Sequence, residues 1–308
     1  MDLLLKPSTI NQQSAIKITG SKSETNRLLL LQALYPNITL ENTSNSDDSE
    51  VMAKALLSKD EIIDIHHAGT AMRFLTAYFS IQENREIVLT GSNRMKERPI
   101  KILIDALKQL GSHIAYEENE GFPPIRIKGK KLSYPDVSLS ANVSSQYISA
   151  LLLIAPKLEN GLELTLDGEI TSVPYIKMTL EVLNEMGITT SFIGNKITVK
   201  PKSVIQNSKF VIESDWSSAS YWYSITALSE IGTEIRLSSY KQNSFQGDSV
   251  LAEIYKEFGI KTSFENTHIT LEKISDKPSG KLNLELNNAP DIAQTIAVTC
   301  FGLGEGCH

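Results

Sequence analysis

Apolar and polar positions along this chain fall into a register that repeats about every 73 residues. Three segments carry apolar residues at helical spacing, reach a Gly and run into alternating, strand-like sequence: PIKILIDALKQLGSHIAY, PYIKMTLEVLNEMGITTSF and GDSVLAEIYKEFGIKTSF. Their glycines, Gly111, Gly187 and Gly259, lie 76 and 72 residues apart. Each stands where a helix ends on a left-handed residue. A β-hairpin follows each, closing with PIRIKG, KITVKP and HITLEK. A second class of helix opens on small polar residues: AGTAMRFLTAYF, SSQYISALLLIA, SSASYWYSITAL and PDIAQTIAVTCF. Aligning Thr70, Ser145, Ser218 and Asp291 gives spacings of 75, 73 and 73. Short strands EIVLTG, LELTLDG and TEIRLS follow the first three. The predicted unit is helix, strand, helix, strand, strand. A shorter copy opens the chain, with a helix from Ser23, the strand NITLEN and the helix DDSEVMAKALL.

Units with two helices and several strands are small α/β modules, not turns of a thin solenoid. Packed about a pseudo-threefold axis, they would aim the Ser-led helix starts at one cleft. Free N–H groups and helix dipoles focused there make an anion site. The segment GSKSETNRLLLLQAL carries this best. Ser21 or Ser23 can cap the helix, Glu24 adds an acid to its first turn, and Lys22 and Arg27 supply charge. The spacing is not that of a P-loop. Ser, Thr and Asp are good caps in any protein, which accounts for each helix singly. It does not account for Lys22, Arg27, Arg73 and Gln146 all falling in early turns of one helix class. The loop LTGSNRMKERPI adds Arg94, Lys96 and Arg98 around Glu97. Arg suits planar, bidentate binding of carboxylate or phosphate, while Lys96 reads as a solvated surface charge.

A length of 308 residues suggests two domains with their own cores. The net charge of −6 argues against a general nucleic-acid binder, whose footprint is broadly basic. Positive clusters confined to the first third suit a small anionic substrate. Cys300 and Cys307 give neither a disulfide framework nor zinc spacing, and point to a reducing compartment. MDLLLKPSTI does not read as a signal peptide, and no run is long and apolar enough to span a bilayer. The expected location is the cytoplasm, with no membrane partner.

GSKSETNR, AGTAMRFL, RMKERPI, SSQYISALL, SVPYIKMTL, SDWSSASY, QGD and APDIAQTIA occur in that order. Together they resemble the 5-enolpyruvylshikimate-3-phosphate synthases, the 3-phosphoshikimate 1-carboxyvinyltransferases. The resemblance runs from Gly20 to Asp291. It implies a two-domain inverse α/β barrel of the enolpyruvyl transferase type, built from the repeated α/β units of about 73 residues, with the last unit missing. Residues 21–212 would form a shikimate-phosphate-binding domain of three units. Residues 1–20 plus 213–308 would form part of a second domain. The implied reaction moves the enolpyruvyl group of phosphoenolpyruvate to the 5-hydroxyl of shikimate 3-phosphate, with no cofactor and no metal.

Carried over position by position, Lys22 matches the lysine that touches both substrates and Asp291 the aspartate that takes the hydroxyl proton; these are the catalytic expectations. Lys22, Ser23, Arg27, Ser144, Ser145, Gln146, Ser172, Tyr175 and Asp291 match the shikimate 3-phosphate side. Lys22, Gly69, Arg94 and Gln146 match the phosphoenolpyruvate side. The resemblance further implies a monomer. Departures stand at His67, usually Asn, at Phe74, usually Pro, and at Ser214-Asp215-Trp216, usually Gly-Asp before Ser-Ser. His67 and Phe74 border the phosphoenolpyruvate pocket and bear on inhibitors, such as glyphosate, that mimic that substrate. The family also continues past the counterpart of His308 with Lys-Glu-Thr-Asp-Arg, then an arginine and a lysine for phosphoenolpyruvate. The expectation is a fragment that binds shikimate 3-phosphate weakly and turns over poorly. Rival readings are the sister enzyme acting on UDP-N-acetylglucosamine, a non-catalytic anion-binding relic, and an RNA 3′-phosphate cyclase relative. The first is disfavoured by the absence of Cys from Leu89–Ile100, the last by the absence of nucleotide-handling residues.

Overall fold

The computed structural model describes residues 15–170, 173–266, 268–276 and 282–308. The chain divides into two compact units, residues 19–212 and residues 15–18 with 213–308.

The 19–212 unit runs α1 (Lys22–Leu34), β1 (Ile38–Glu41), α2 (Asp47–Leu57), β2 (Ile62–Asp64), α3 (Gly69–Ser80), β3 (Glu86–Thr90), α4 (Asn93–Lys96), α5 (Lys101–Gln109), β4 (His113–Tyr116) and β5 (Ile125–Lys128). It continues with β6 (Asp136–Ser140), α6 (Ser145–Ile154), β7 (Leu162–Asp167), α7 (Val173–Glu185), β8 (Thr190–Ile193), β9 (Lys196–Val199) and β10 (Ser208–Val211). Two four-stranded sheets have the same order, β2-β3-β5-β4 and β6-β7-β9-β8, with a parallel first pair and an antiparallel hairpin. β1 and β10 form a separate parallel pair. A parallel pair needs a crossover, and α3 and α6 are those crossovers. Each helix therefore starts just beyond the C-terminal end of a strand, where α/β folds place ligands.

α3 and α6 are mostly apolar on every side, and all their residues but Thr70 and Gln146 are buried, the few polar ones included. They pack on each other, on α1 and, through α6, on α7. A helix apolar all round belongs inside. α5 is two-faced instead, with Leu103, Ile104, Ala106 and Leu107 inward and Lys101, Asp105 and Lys108 outward.

The second unit contains α8 (Trp216–Ala227), β11 (Glu234–Ser238), α9 (Leu251–Ile254), β12 (Ile260–Phe264), β13 (His268–Lys273) and α10 (Ala293–Gly302). Its sheet, β11-β13-β12, repeats the hairpin part of the order above. Ile16 bridges Leu237 in parallel, at the position that β2 and β6 hold elsewhere. Trp216, fully buried, packs on Tyr223, Tyr240 and Phe264. Its Nε1 donates to the buried Glu213 carboxylate at 2.8 Å, which also accepts from the Lys241 N–H and the Ser244 hydroxyl. Ser214 donates from Oγ to the Ile18 carbonyl at 2.7 Å, and Asp215 caps α8. That is how the unusual Ser-Asp-Trp sequence is used.

The three terminal glycines have the expected left-handed backbone, with φ of 98° at Gly111, 71° at Gly187 and 72° at Gly259. Two expectations need correction. The unit begins with an additional parallel strand, β2 or β6, so it reads strand, helix, strand, helix, strand, strand. β2 is only three residues long; β6, five residues, alternates as clearly as β3 but stands outside the helix-led repeat. The segment before Gly259 is also not one α-helix. It winds as a 3-10 turn at 247–250, α9, and a second 3-10 turn at 255–258. In 3-10 geometry residues i and i+3 eclipse, which aligns the buried rings of Tyr255 and Phe258, 5.0 Å apart. Among the described residues the sheets are open, in keeping with the expected α/β architecture.

A β-carbon at Gly259 would run into the Ser275 carbonyl. Gly259→Ala combines that clash with a left-handed φ and should destabilise the protein by about 2 kcal/mol. Chemical denaturation monitored by tryptophan fluorescence would measure the loss.

Candidate functional site

α1 begins behind Ser21, whose hydroxyl accepts from the Glu24 N–H. Lys22 is exposed on the first turn and Ser23 half-buried. Arg27, one turn further in, is 3% exposed. Its Nε donates to Thr179 Oγ1 at 2.8 Å, its Nη1 to the Ser23 carbonyl at 2.7 Å, and its Nη2 to Ser149 Oγ at 3.0 Å and the Tyr175 carbonyl at 3.2 Å. One guanidinium thus ties α1 to α6 and α7, over the ring of Phe74 at 5.6 Å. Burial lowers its pKa to about 10, against the opposing pull of Tyr175 and Glu24, so it stays charged at neutral pH. In the structure Arg27 ties these helices together, with one Nη1 hydrogen left for anything at the helix starts.

Ser144 caps α6, accepting from the Gln146 N–H at 3.4 Å, and Ser145 is the buried first residue of the helix. The Gln146 amide donates to Thr70 Oγ1 at 3.3 Å and so joins the starts of α6 and α3. Tyr175 lies in the first turn of α7, half-buried. Ser172 lies outside the described residues.

Gly69, the first residue of α3, is buried against Arg98, and a β-carbon there would strike the guanidinium. Arg98 has its pKa lowered by burial and by the positive charge of Arg73, with Asp48 opposing. Arg73 is 5% exposed and donates to the Gly69 and Pro99 carbonyls at 3.1 and 3.3 Å. It stands 5.7 Å from the Tyr147 ring, and its Nε has no partner. Arg94 and Arg98 line a cleft of about 620 Å³ with His67, Ser92 and Met95. Lys96 pairs with Glu118 at 2.9 Å on the surface, as a solvated charge would. The close approach of Arg98 to Gly69 and the Thr70–Gln146 bond were not legible in the sequence. Only the clustering of cations in Leu89–Ile100 hinted at the first.

In the other unit, Asp291 is exposed within a 3-10 turn at 290–292. Ala289 precedes that turn with no side-chain cap bond, so Asp291 lies inside the turn and does not cap it. Among the described residues no group of His, Cys, Asp and Glu could hold a metal ion, and no helix is long and apolar enough to cross a membrane.

The sequence model of one family, EPSP synthase (3-phosphoshikimate 1-carboxyvinyltransferase), matches residues 54–303. A 3-phosphoshikimate 1-carboxyvinyltransferase of Bacteroides fragilis is 46% identical over 97% of this chain and 72% of its own length. The chain belongs to the EPSP synthase family. An enzyme of the same name from Mannheimia haemolytica is 36% identical over 95% of this chain and 74% of its own. The solved EPSP synthase of Acinetobacter baumannii superposes with a TM-score of 0.77 at 18% identity, over 93% of this chain and 71% of that one. This likeness establishes the EPSP synthase fold, a mixed α/β architecture. The activity is enolpyruvyl transfer in the shikimate pathway, toward the aromatic amino acids, and the family's substrates are phosphoenolpyruvate and shikimate 3-phosphate.

Replacing Arg27 by Ala strands the acceptors on Ser149, Thr179 and Tyr175 and should destabilise the protein by about 2–4 kcal/mol. Arg27→Lys keeps the charge but loses the fork and should fall between. Thermal unfolding of the three proteins side by side tests that order.

Proposed function

We propose that the 19–212 unit holds shikimate 3-phosphate across the starts of α1, α6 and α7. Lys22, Ser23, Ser144, Ser145, Gln146, Ser172 and Tyr175 contact the ligand, and Arg27 positions them while offering its remaining N–H. Lys22 also reaches phosphoenolpyruvate, whose carboxylate and phosphate meet Arg94, Gln146 and the backbone at Gly69. What carries this reading is one pair of ties: Gln146 to Thr70, and Arg27 to α6 and α7, which keep four helix starts together. Exposed Lys22 and Arg94 then add charge where free N–H groups already favour an anion.

The chemistry needs little else. Protonation of the enol carbon of phosphoenolpyruvate leaves a cationic centre next to the phosphate-bearing oxygen. The 5-hydroxyl adds there and gives its proton to the Asp291 carboxylate, the general base. Loss of phosphate from the tetrahedral adduct, with the methyl group giving up the proton it gained in the first step, then forms the enol ether. Charged donors fixed in advance around the phosphates and the carboxylate lower the barrier without reorganising. The protein acts as a monomer in the cytoplasm, in keeping with its acidic charge and its few cysteines.

Thermal stability followed during titration tests the ligand assignment. Shikimate 3-phosphate should raise Tm in a dose-dependent way before phosphoenolpyruvate is added, and UDP-N-acetylglucosamine should not. Lys22→Ala should weaken shikimate 3-phosphate binding about ten-fold or more with the ligand-free Tm unchanged. Full affinity in that variant would remove Lys22 from the site.

Gly69→Ala must displace the Arg98 guanidinium. It should lower phosphoenolpyruvate affinity several-fold and spare shikimate 3-phosphate. Calorimetric titration with each ligand separates the two outcomes.

A further inference from the structure

The Gln-Gly-Asp sequence at 246–248 takes no part in the site above, yet its carboxylate is unusual. Asp248 is 5% exposed. Its Oδ2 accepts a hydrogen bond from Ser217 in the first turn of α8. Its Oδ1 is buried with no hydrogen-bond partner among the described residues. A buried carboxylate oxygen without a donor is costly while charged, so that oxygen is where a proton would be held. Burial pushes the Asp248 carboxyl up to about 6; the Ser217 hydrogen bond opposes this, and the charges of Asp291 and Asp215 add to it.

The placement of those three carboxylates is specific. Asp215 caps α8, Asp248 sits in the 247–250 turn and Asp291 in the 290–292 turn. Each of these elements packs on the other two. Among the described residues no cation acts on Asp248: Glu253, on the adjoining α9, pairs with Lys256 at the surface, and Glu213 is engaged by Trp216, Lys241, Ser244 and Gln246.

We propose that Asp248 is a positioning residue for Asp291, letting the 290–292 turn settle against the start of α8 when protonated and repelling the Asp291 carboxylate when ionised. Its catalytic consequence rests on Asp291 being the general base; the coupling itself does not. The sign follows from the raised carboxyl. Stability from the neutral form is fully present below the ordinary carboxylate range and is lost as pH rises toward 6. Above that, Asp291 faces a neighbouring negative charge.

The full chain carrying 13C-carboxyl aspartate would be titrated from acid to neutral pH by NMR. One resonance should titrate near pH 6 in the wild type and be missing in Asp248→Asn. In Asp291→Asn, at an exposed position that leaves the core alone, that midpoint should move down by about half a unit. The Tm of Asp248→Asn should exceed the wild type above pH 7 and match it near pH 4. The kcat/KM profile of Asp248→Asn should lose its inflection near pH 6. A midpoint unmoved by Asp291→Asn, or no resonance near 6, would overturn the proposal. Turnover by Asp291→Asn speaks only to the base assignment, and the midpoint shift only to the coupling.

Discussion

A charged guanidinium in a protein interior must find acceptors in a plane around it, and Arg27 decides how the core of the 19–212 unit is arranged for that reason. Its donors end on Ser23, Ser149, Tyr175 and Thr179, which belong to α1, α6 and α7. Leaving such a group unpaired costs several kcal/mol, so these helices can cross only where all the bonds close together. The ring of Phe74 supplies the face below. Lys22 and Ser23 lie one turn from this anchor and inherit its rigidity. A ligand contact on the first turn of a helix is useful only if that turn is held still, and here Arg27 holds it through its bond to the Ser23 carbonyl.

The repeated sheets place the remaining helix starts. A parallel strand followed by a crossover helix brings the N-terminus of the helix to the strand's far end. The same order occurs twice in the 19–212 unit, so Gly69 and Ser145 begin α3 and α6 in equivalent positions. Equivalence by fold explains why Gln146 can reach Thr70, 76 residues away in sequence. The departures from the usual family pattern have structural uses. Phe74 packs under Arg27, His67 lines the cleft beside Arg94, and Trp216 fills the centre of the second unit's core over Glu213.

Much of this was written locally. Helix classes, hairpins and the left-handed glycines follow from the spacing of apolar residues and from φ values that Gly alone adopts easily. Gly111, Gly187 and Gly259 could be placed without a structure because a helix end is a local event. The order of eight motifs, from GSKSETNR to APDIAQTIA, identified the family and hence the fold and the reaction. The strand β2 escaped because three residues carry too little pattern, and β6 because it precedes the helix from which each unit was counted. The 3-10 winding before Gly259 escaped because it is set by where Tyr255 and Phe258 must pack.

By itself, then, the amino-acid sequence determined the repeat, most of the element types and the family. The tertiary structure alone decided the partners: Arg27 with Thr179, 152 residues on; Arg98 with Gly69; Asp248 with Ser217, its carboxylate's only hydrogen-bond partner among the described residues. The physical reason is that hydropathy registers whether a residue prefers water, whereas the state of a buried polar group depends on which donors and acceptors the folded chain brings within about 3 Å of it.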